Sequence, residues 1–208
     1  MLSKYGNIVD GLEVRELKYN DLRVLNDKSK GILRTNIDNI IDKLKYSDFK
    51  KFQSLVTNIP SGLKITYESE QHQKQRVKSG KEIGQHPVRP IRGQVYNAFL
   101  GENFGSELSG QHPVVIIQNA TGNAYAQKVI VVPIEGDGNE IDEAYMMKIT
   151  SDDLEGDVQL TKNPSRIIVS EIKTIDKARL GKKIGELKSD RLKLLNEKLY
   201  NQLSLDKF

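Results

Sequence analysis

The sequence predicts an α+β protein: a small, strongly bent β-barrel with a helix against it, preceded by a helical extension. Three observations predict it. Apolar residues recur at spacings of three and four between Ile32 and Leu44, and again between Phe49 and Val56. Between Arg92 and Asp176 the chain breaks into many short strand-like runs separated by glycine and polar turns. Near the end, Leu192, Leu195, Leu199 and Leu203 share one helical face. Three regions follow: a helical extension over 1–65, a basic polar linker over 66–90, and the strand-rich domain over 91–208.

In the extension, Ile32, Leu33, Ile37, Ile40, Ile41 and Leu44 form one apolar stripe. Ser47 is placed to cap a second helix, whose stripe is Phe49, Phe52, Leu55 and Val56. Asn58-Ile-Pro60-Ser-Gly62 reads as its end. Two stripes and a short break predict an antiparallel helical pair. Leu12 to Leu25 carries a weaker helical pattern. From Glu68 to Gly84 the only large apolar residues are Val77 and Ile83, which is linker composition. Lys74, Arg76, Lys78 and Lys81 can meet RNA phosphates or simply face solvent. His86-Pro87-Val88-Arg89-Pro90 is extended, because residues before proline avoid the helical region.

The strand-rich domain opens with the alternating run Arg92 to Ala98. A glycine-bounded loop (Gly105 to Gly110) precedes the buried strand Val114 to Ile117. Asn119 to Asn123 reads as a turn, and Lys128 to Ile134 as a second buried strand. Val129 to Val132 is apolar on both faces, which calls for cover by a second copy. An acidic loop spans Glu135 to Glu143. Tyr145 to Ile149, Val158 to Leu160, Ile167 to Val169 and Glu171 to Asp176 read as further strands. Ser189 and Asp190 then cap the closing helix.

Composition bounds the function. The 208 residues are 37% apolar and 29% charged, with no cysteine and three scattered histidines. Disulfide and thiolate chemistry are therefore excluded, and no zinc motif, phosphate-binding glycine loop or nucleophile elbow occurs. No cofactor or metal is expected. No run reaches the roughly 18 apolar residues of a membrane span, and residues 1–20 lack a signal-peptide core. A soluble cytoplasmic protein is expected. Residues 1–90 carry 17 basic and 11 acidic residues, a balance of +6, whereas 91–208 carry 15 and 17, a balance of −2. A basic segment beside an acidic domain suits phosphate-backbone binding through counterion release, or is a solvated surface.

Several short motifs stand in a defined order: Arg92-Gly93, Gly105-Ser106-Glu107, Pro113 through Gly122, and Thr174 through Leu180. Together they resemble the MazF/PemK family of toxin endoribonucleases over about residues 91 to 205. The resemblance implies a MazF/PemK/CcdB-type barrel, a homodimer, and metal-independent, sequence-selective cleavage of single-stranded RNA, held in check by an antitoxin protein. That fold also includes CcdB-like proteins that bind gyrase, so fold alone leaves a catalytically silent RNA- or protein-binding module open.

The sequence departs from the family at the site. Where the family has Gly-x-Arg-Pro, this chain has Gly110-Gln111-His112-Pro113, and Glu135 stands at the family's threonine position. Cleavage needs a proton taken from the 2′-hydroxyl, a proton given to the leaving 5′-oxygen, and donors for the phosphorane charge. His112 and Glu135 either replace the arginine and threonine as acid and base, or mark a dismantled site. Histidine exchanges protons near neutral pH. Ser106 and Glu107 border the site in the resemblance, as phosphate donor and base, or form a turn pair. Arg92, Gln118, Asn119 and Lys173 are the candidate RNA contacts.

Overall fold

The computed structural model describes residues 26–77, 84–136, 138, 140–156 and 158–205. The weak pattern of Leu12 to Leu25, together with Lys78 and Lys81, lies outside them. The chain divides into two compact units, 1–64 and 65–208.

In the first unit, helix α1 (Asp27–Ile41) starts where the Asn26 side chain accepts a hydrogen bond from Ser29 N–H at 2.8 Å. A 3-10 turn (Tyr46–Asp48) leads into helix α2 (Phe49–Val77). Ser47 lies inside that turn, which is closed by the Asp48 carboxylate accepting Lys45 N–H at 3.2 Å. Both stripes are helical as expected, but the buried seam of a helical pair is not formed. No residue of α1 is buried, and Ile32, Ile37 and Ile41 are about half exposed.

Asn58 to Gly62 does not end the second helix. α2 runs through Pro60 and on to Val77, so residues 66–77 are helix rather than tether. Proline removes one backbone donor from the ladder. In the preceding turn, Thr57 Oγ1 donates to Gln53 O at 2.8 Å and Asn58 Nδ2 to Ser54 O at 3.0 Å.

The second unit is built on a seven-stranded antiparallel sheet: β1 (Gln94–Phe99), β2 (Gln111–Ile116), β3 (Lys128–Glu135), β4 (Met146–Ile149), β5 (Ser165–Ile168), β6 (Lys173–Asp176) and β7 (Leu180–Glu186). The order is β4-β5-β3-β2-β1-β7. β3 serves three neighbours, pairing β2 along Val131–Pro133, β6 along Lys128–Val131 and β5 at Ile134 and Glu135. The hydrogen-bonded strand order is open between β4 and β7. Its two ends are stitched by backbone bonds from the segment after β4: Glu155 N–H to Glu186 O at the end of β7, 2.7 Å, and Lys188 N–H to Asp153 O at 2.9 Å. The sequence reading misses β7, and it places a strand at Val158–Leu160 where there is none. Leu160 is instead held by its N–H on Ser151 Oγ at 3.0 Å. The turn at Asn119 is the start of a short helix, α3 (Ala120–Tyr125), and α4 (Ser189–Gln202) begins after Lys188, with Ser189 inside it.

Strand alternation separates two cores. Val95, Val115 and Val132 are register partners on one face, packed with Ile134, Met147, Ile149, Ile167 and, from α4, Leu195 and Leu199. Ala98, Val114, Ile116, Val129, Val131 and Ile175 fill the other face beneath Leu100 and Leu108. Val129, Val131 and Val132 are wholly buried within the chain. This chain covers those three itself, and Ile130 of the same run is only partly covered.

The second half of α2 packs on this unit by polar contacts. Ser69 Oγ donates to Asp176 Oδ2 at 2.7 Å, and Gln127 Nε2 donates to Ser69 Oγ at 3.1 Å. The His72 and His86 rings meet edge to face at 5.0 Å. Lys177 is fully buried, its ammonium on Asn123 O at 2.6 Å. Burial pushes its pKa down to about 8, with Arg76 adding to the effect and Asp176 opposing it. His86, 1% exposed, accepts Val88 N–H on Nδ1 at 3.0 Å. Burial first, then Lys177, pushes it down to about 4.

Candidate functional site

The loop from Gly101 to Gly110 is closed at its neck by a reciprocal pair of bonds. Leu100 N–H meets Gly110 O at 2.8 Å, and Gly110 N–H meets Gly101 O at 2.7 Å. Gly101 (φ 90°) and Gly110 (φ 82°) occupy the left-handed region that this tight neck requires. Inside the loop, Asn103 N–H donates to Ser109 Oγ at 2.9 Å and Asn103 Nδ2 to Leu108 O at 2.6 Å. The loop is thus fixed, and it holds the Ser109 carbonyl over the start of β2.

His112 sits under that carbonyl. Its Nε2 is 3.1 Å from Ser109 O and its Nδ1 3.4 Å from Ile134 O. Carbonyl oxygens only accept, so the ring donates to both just when both nitrogens carry hydrogen. Such a ring has a proton to give to a third acceptor that displaces the longer bond.

The β2–β3 register pairs Val114 with Pro133. Beyond that pairing, the His112 ring reaches the β3 backbone at Ile134 O, one residue before Glu135. Glu135 in turn faces Arg166 of β5, and Arg166 faces Lys148 of β4. Cross-strand partners share a face, so Glu135, Arg166 and Lys148 form a row across three strands, with His112 at the adjoining end of β2. Arg166 takes Glu135, with Nη2 at 2.6 Å and Nε at 3.0 Å, both on Oε2. Arg166 Nη1 also donates to Glu140 O at 2.9 Å.

Glu107 and Lys173 are brought together. Lys173 Nζ lies 3.3 Å from Glu107 Oε2 and 3.3 Å from Glu171 Oε2, and Glu171 accepts Leu108 N–H at 3.4 Å. Ser106 is exposed beside Glu107. Lys173 pairs with Val131, which puts it on the same face as the Glu135 row.

The other candidates stand apart. Arg92 Nη2 donates to Asn196 Oδ1 of α4 at 2.6 Å. Asn119 caps α3, accepting Gly122 N–H at 2.8 Å, and Gln118 Nε2 donates to Lys128 O at 3.2 Å. Gln118 and Asn119 lie past the far end of β2, roughly 20 Å along the strand from His112. Arg166, Lys148 and Glu171 are the residues sequence reasoning missed. The alternation of Arg166 with buried Ile167 marks it as strand-borne, but only the β3–β5 register shows what it faces. Among the described residues, no group of three His, Asp or Glu is placed to hold a metal ion.

The sequence profile of the PemK-like, MazF-like toxins of type II toxin–antitoxin systems matches residues 91–203. The chain is similar to the Endoribonuclease MazF of Staphylococcus saprophyticus, 39% identical over 114 residues, which is 55% of this chain and 91% of that protein. Among solved structures it is similar to an endoribonuclease in complex with its cognate antitoxin from a mycobacterial species. There the identity is 22%, with 56% of this chain and 94% of the other covered, at a TM-score of 0.43. It is also similar to MazF from Deinococcus radiodurans, with 16% identity, coverage of 55% and 96%, and a TM-score of 0.45.

Proposed function

We propose that this chain, which belongs to the PemK-like, MazF-like toxin family of type II toxin–antitoxin systems, is a metal-independent endoribonuclease that cuts single-stranded RNA and is neutralised by an antitoxin protein. The observation that carries the reading is the 39% identity to a named endoribonuclease over 91% of its length. The finer fold we assign is the family's small, strongly bent barrel. The stitch between Glu155 and Glu186 supports that assignment. We assign a homodimer acting in the cytoplasm, with residues 1–64 as an accessory unit.

In the reaction, the 2′-oxygen attacks the adjacent phosphorus and gives up its proton to a base. The bond from phosphorus to the 5′-oxygen breaks, and that oxygen takes a proton from an acid. The products are a 2′,3′-cyclic phosphate and a 5′-hydroxyl. His112 is the acid in this reading. With Glu135 engaged by Arg166, Glu107 is the base, exposed on the loop beside Ser106. The engagement of Glu135 also favours a second reading, a silent member of the family that binds RNA without cutting it.

Incubation of the full chain with mixed RNA in excess EDTA separates the two. Discrete cuts support the nuclease. Retention of RNA without cuts supports the silent module. If the protein cuts, His112→Ala should be slower by at least about a hundredfold. An equally fast His112→Ala would remove His112 from the mechanism.

A further inference from the structure

We propose that Arg166 is the residue that takes an RNA phosphate at this site, and that Glu135 occupies the guanidinium in the RNA-free protein as a stand-in anion. The inference rests on the RNA-binding part of the function proposed above and deepens it.

A phosphodiester brought to His112 carries a negative charge that grows at the transition state, so a cation must face it. Among the described residues, Lys173, Lys148 and Arg166 stand on this sheet face. Lys173 is claimed by two carboxylates, Glu107 and Glu171. Lys148 is an exposed side chain on the edge strand β4. Arg166 is different: its side chain is only 15% exposed, and its head group is fixed at three nitrogens by Glu135 and the Glu140 carbonyl. A guanidinium held in this way is already ordered, so a ligand need not immobilise it.

The edge of the fork that carries Nε and Nη2 turns toward β3, the strand between Arg166 and His112. Neighbouring strands lie about 4.8 Å apart, so β5 and β2 are separated by about 10 Å. A phosphate on that edge would lie between the arginine and the histidine. The edge already binds an anion, the carboxylate of Glu135. Phosphate is the other anion that matches two parallel N–H donors. Glu135 is one-third exposed, so it can swing toward solvent as phosphate enters.

The arrangement makes the two partners opposite in sign. Arg166→Gln should weaken RNA binding, whereas Glu135→Gln, which removes the competing anion, should strengthen it. A purely structural ion pair would weaken binding from both sides.

The test uses the full chain and a random-sequence 2′-O-methyl RNA pool, which has no free 2′-hydroxyl and is not cut. Arg166→Gln should lose about ten- to a hundredfold in affinity and flatten the salt slope by about 0.7, the value of one phosphate contact on a single strand. Glu135→Gln should bind at least about threefold tighter, and that gain should vanish in the Arg166→Gln background. A gain of affinity cannot come from misfolding, so Glu135→Gln decides the matter even if Arg166→Gln fails to fold. Weaker binding by Glu135→Gln, or a gain that persists without Arg166, overturns the proposal. So does a wild-type protein that ignores the pool. Cleavage of unmodified RNA is scored separately. A wild type that cuts, with Arg166→Gln cutting and binding equally well, leaves the nuclease standing and removes Arg166 from it.

Discussion

Acidification should loosen this protein through one histidine. His86 is 1% exposed and neutral in the fold, its pKa pushed down from 6.5 to about 4 by burial and by Lys177, with His72 and Arg76 adding smaller effects. In the unfolded chain it titrates near 6.5. Between pH 6.5 and about 4 the unfolded chain therefore binds a proton that the fold refuses. Stability falls as pH drops through that window, and the loss is complete below it. The drop in pKa corresponds to about 3 kcal/mol, which for a chain of this size is a fall in Tm of about 6–12 °C. His86→Asn keeps an acceptor near Val88 N–H without a titrating ring. Thermal melts of both proteins between pH 7 and pH 4 isolate the effect, because other carboxylates and histidines titrate in both. The difference in Tm should move in favour of His86→Asn as pH falls. A difference that stays constant across the window would refute the reasoning.

Lys177 gives the alkaline counterpart. Its folded pKa of about 8 lies below the 10.5 of the unfolded chain, so stability rises with pH between those values; wild type should gain about 3 kcal/mol on Lys177→Met by urea unfolding across that range. Ser69→Ala removes the bonds to Asp176 and Gln127 and should cost about 1–2 kcal/mol, read as faster amide exchange over 65–77. Removal of residues 1–64 should leave the Tm of the second unit almost unchanged, whereas removal of 1–85 should lower it clearly, since Ser69 and His72 go with it. Leu195→Ala opens a cavity under a fully buried position and should cost about 2–5 kcal/mol by denaturant unfolding.

β1, β2 and β3 were legible because their residues are apolar at every second position or throughout, a signal that survives without tertiary context. β7 was not. Leu180-Gly-Lys-Lys-Ile-Gly-Glu has two glycines and exposed lysines, and pairing with β1 alone makes it a strand. Residues 66–77 read as a tether because their buried side is polar, and a periodicity of apolar residues cannot reveal a face that packs through Ser69 and His72. At the site, the loop and His112 were legible as positions. Their partners were not, since Ser109 O and Ile134 O are backbone atoms that any sequence supplies. Glu135 looked like a member of an acidic loop or a base. Its pairing with Arg166, 31 residues on, is a product of strand register.

The order in which the strands appear along the chain has a consequence for synthesis. β1 is the first strand to leave the ribosome, yet its outer neighbour β7 ends only at Glu186. The inner core stays unfilled until Leu195 and Leu199 emerge on α4. A nascent chain that already carries His112, Glu135 and Arg166 still lacks the helix that plugs the sheet beneath them. On the proposed activity, the residues of the site are made before the helix that completes the core around them.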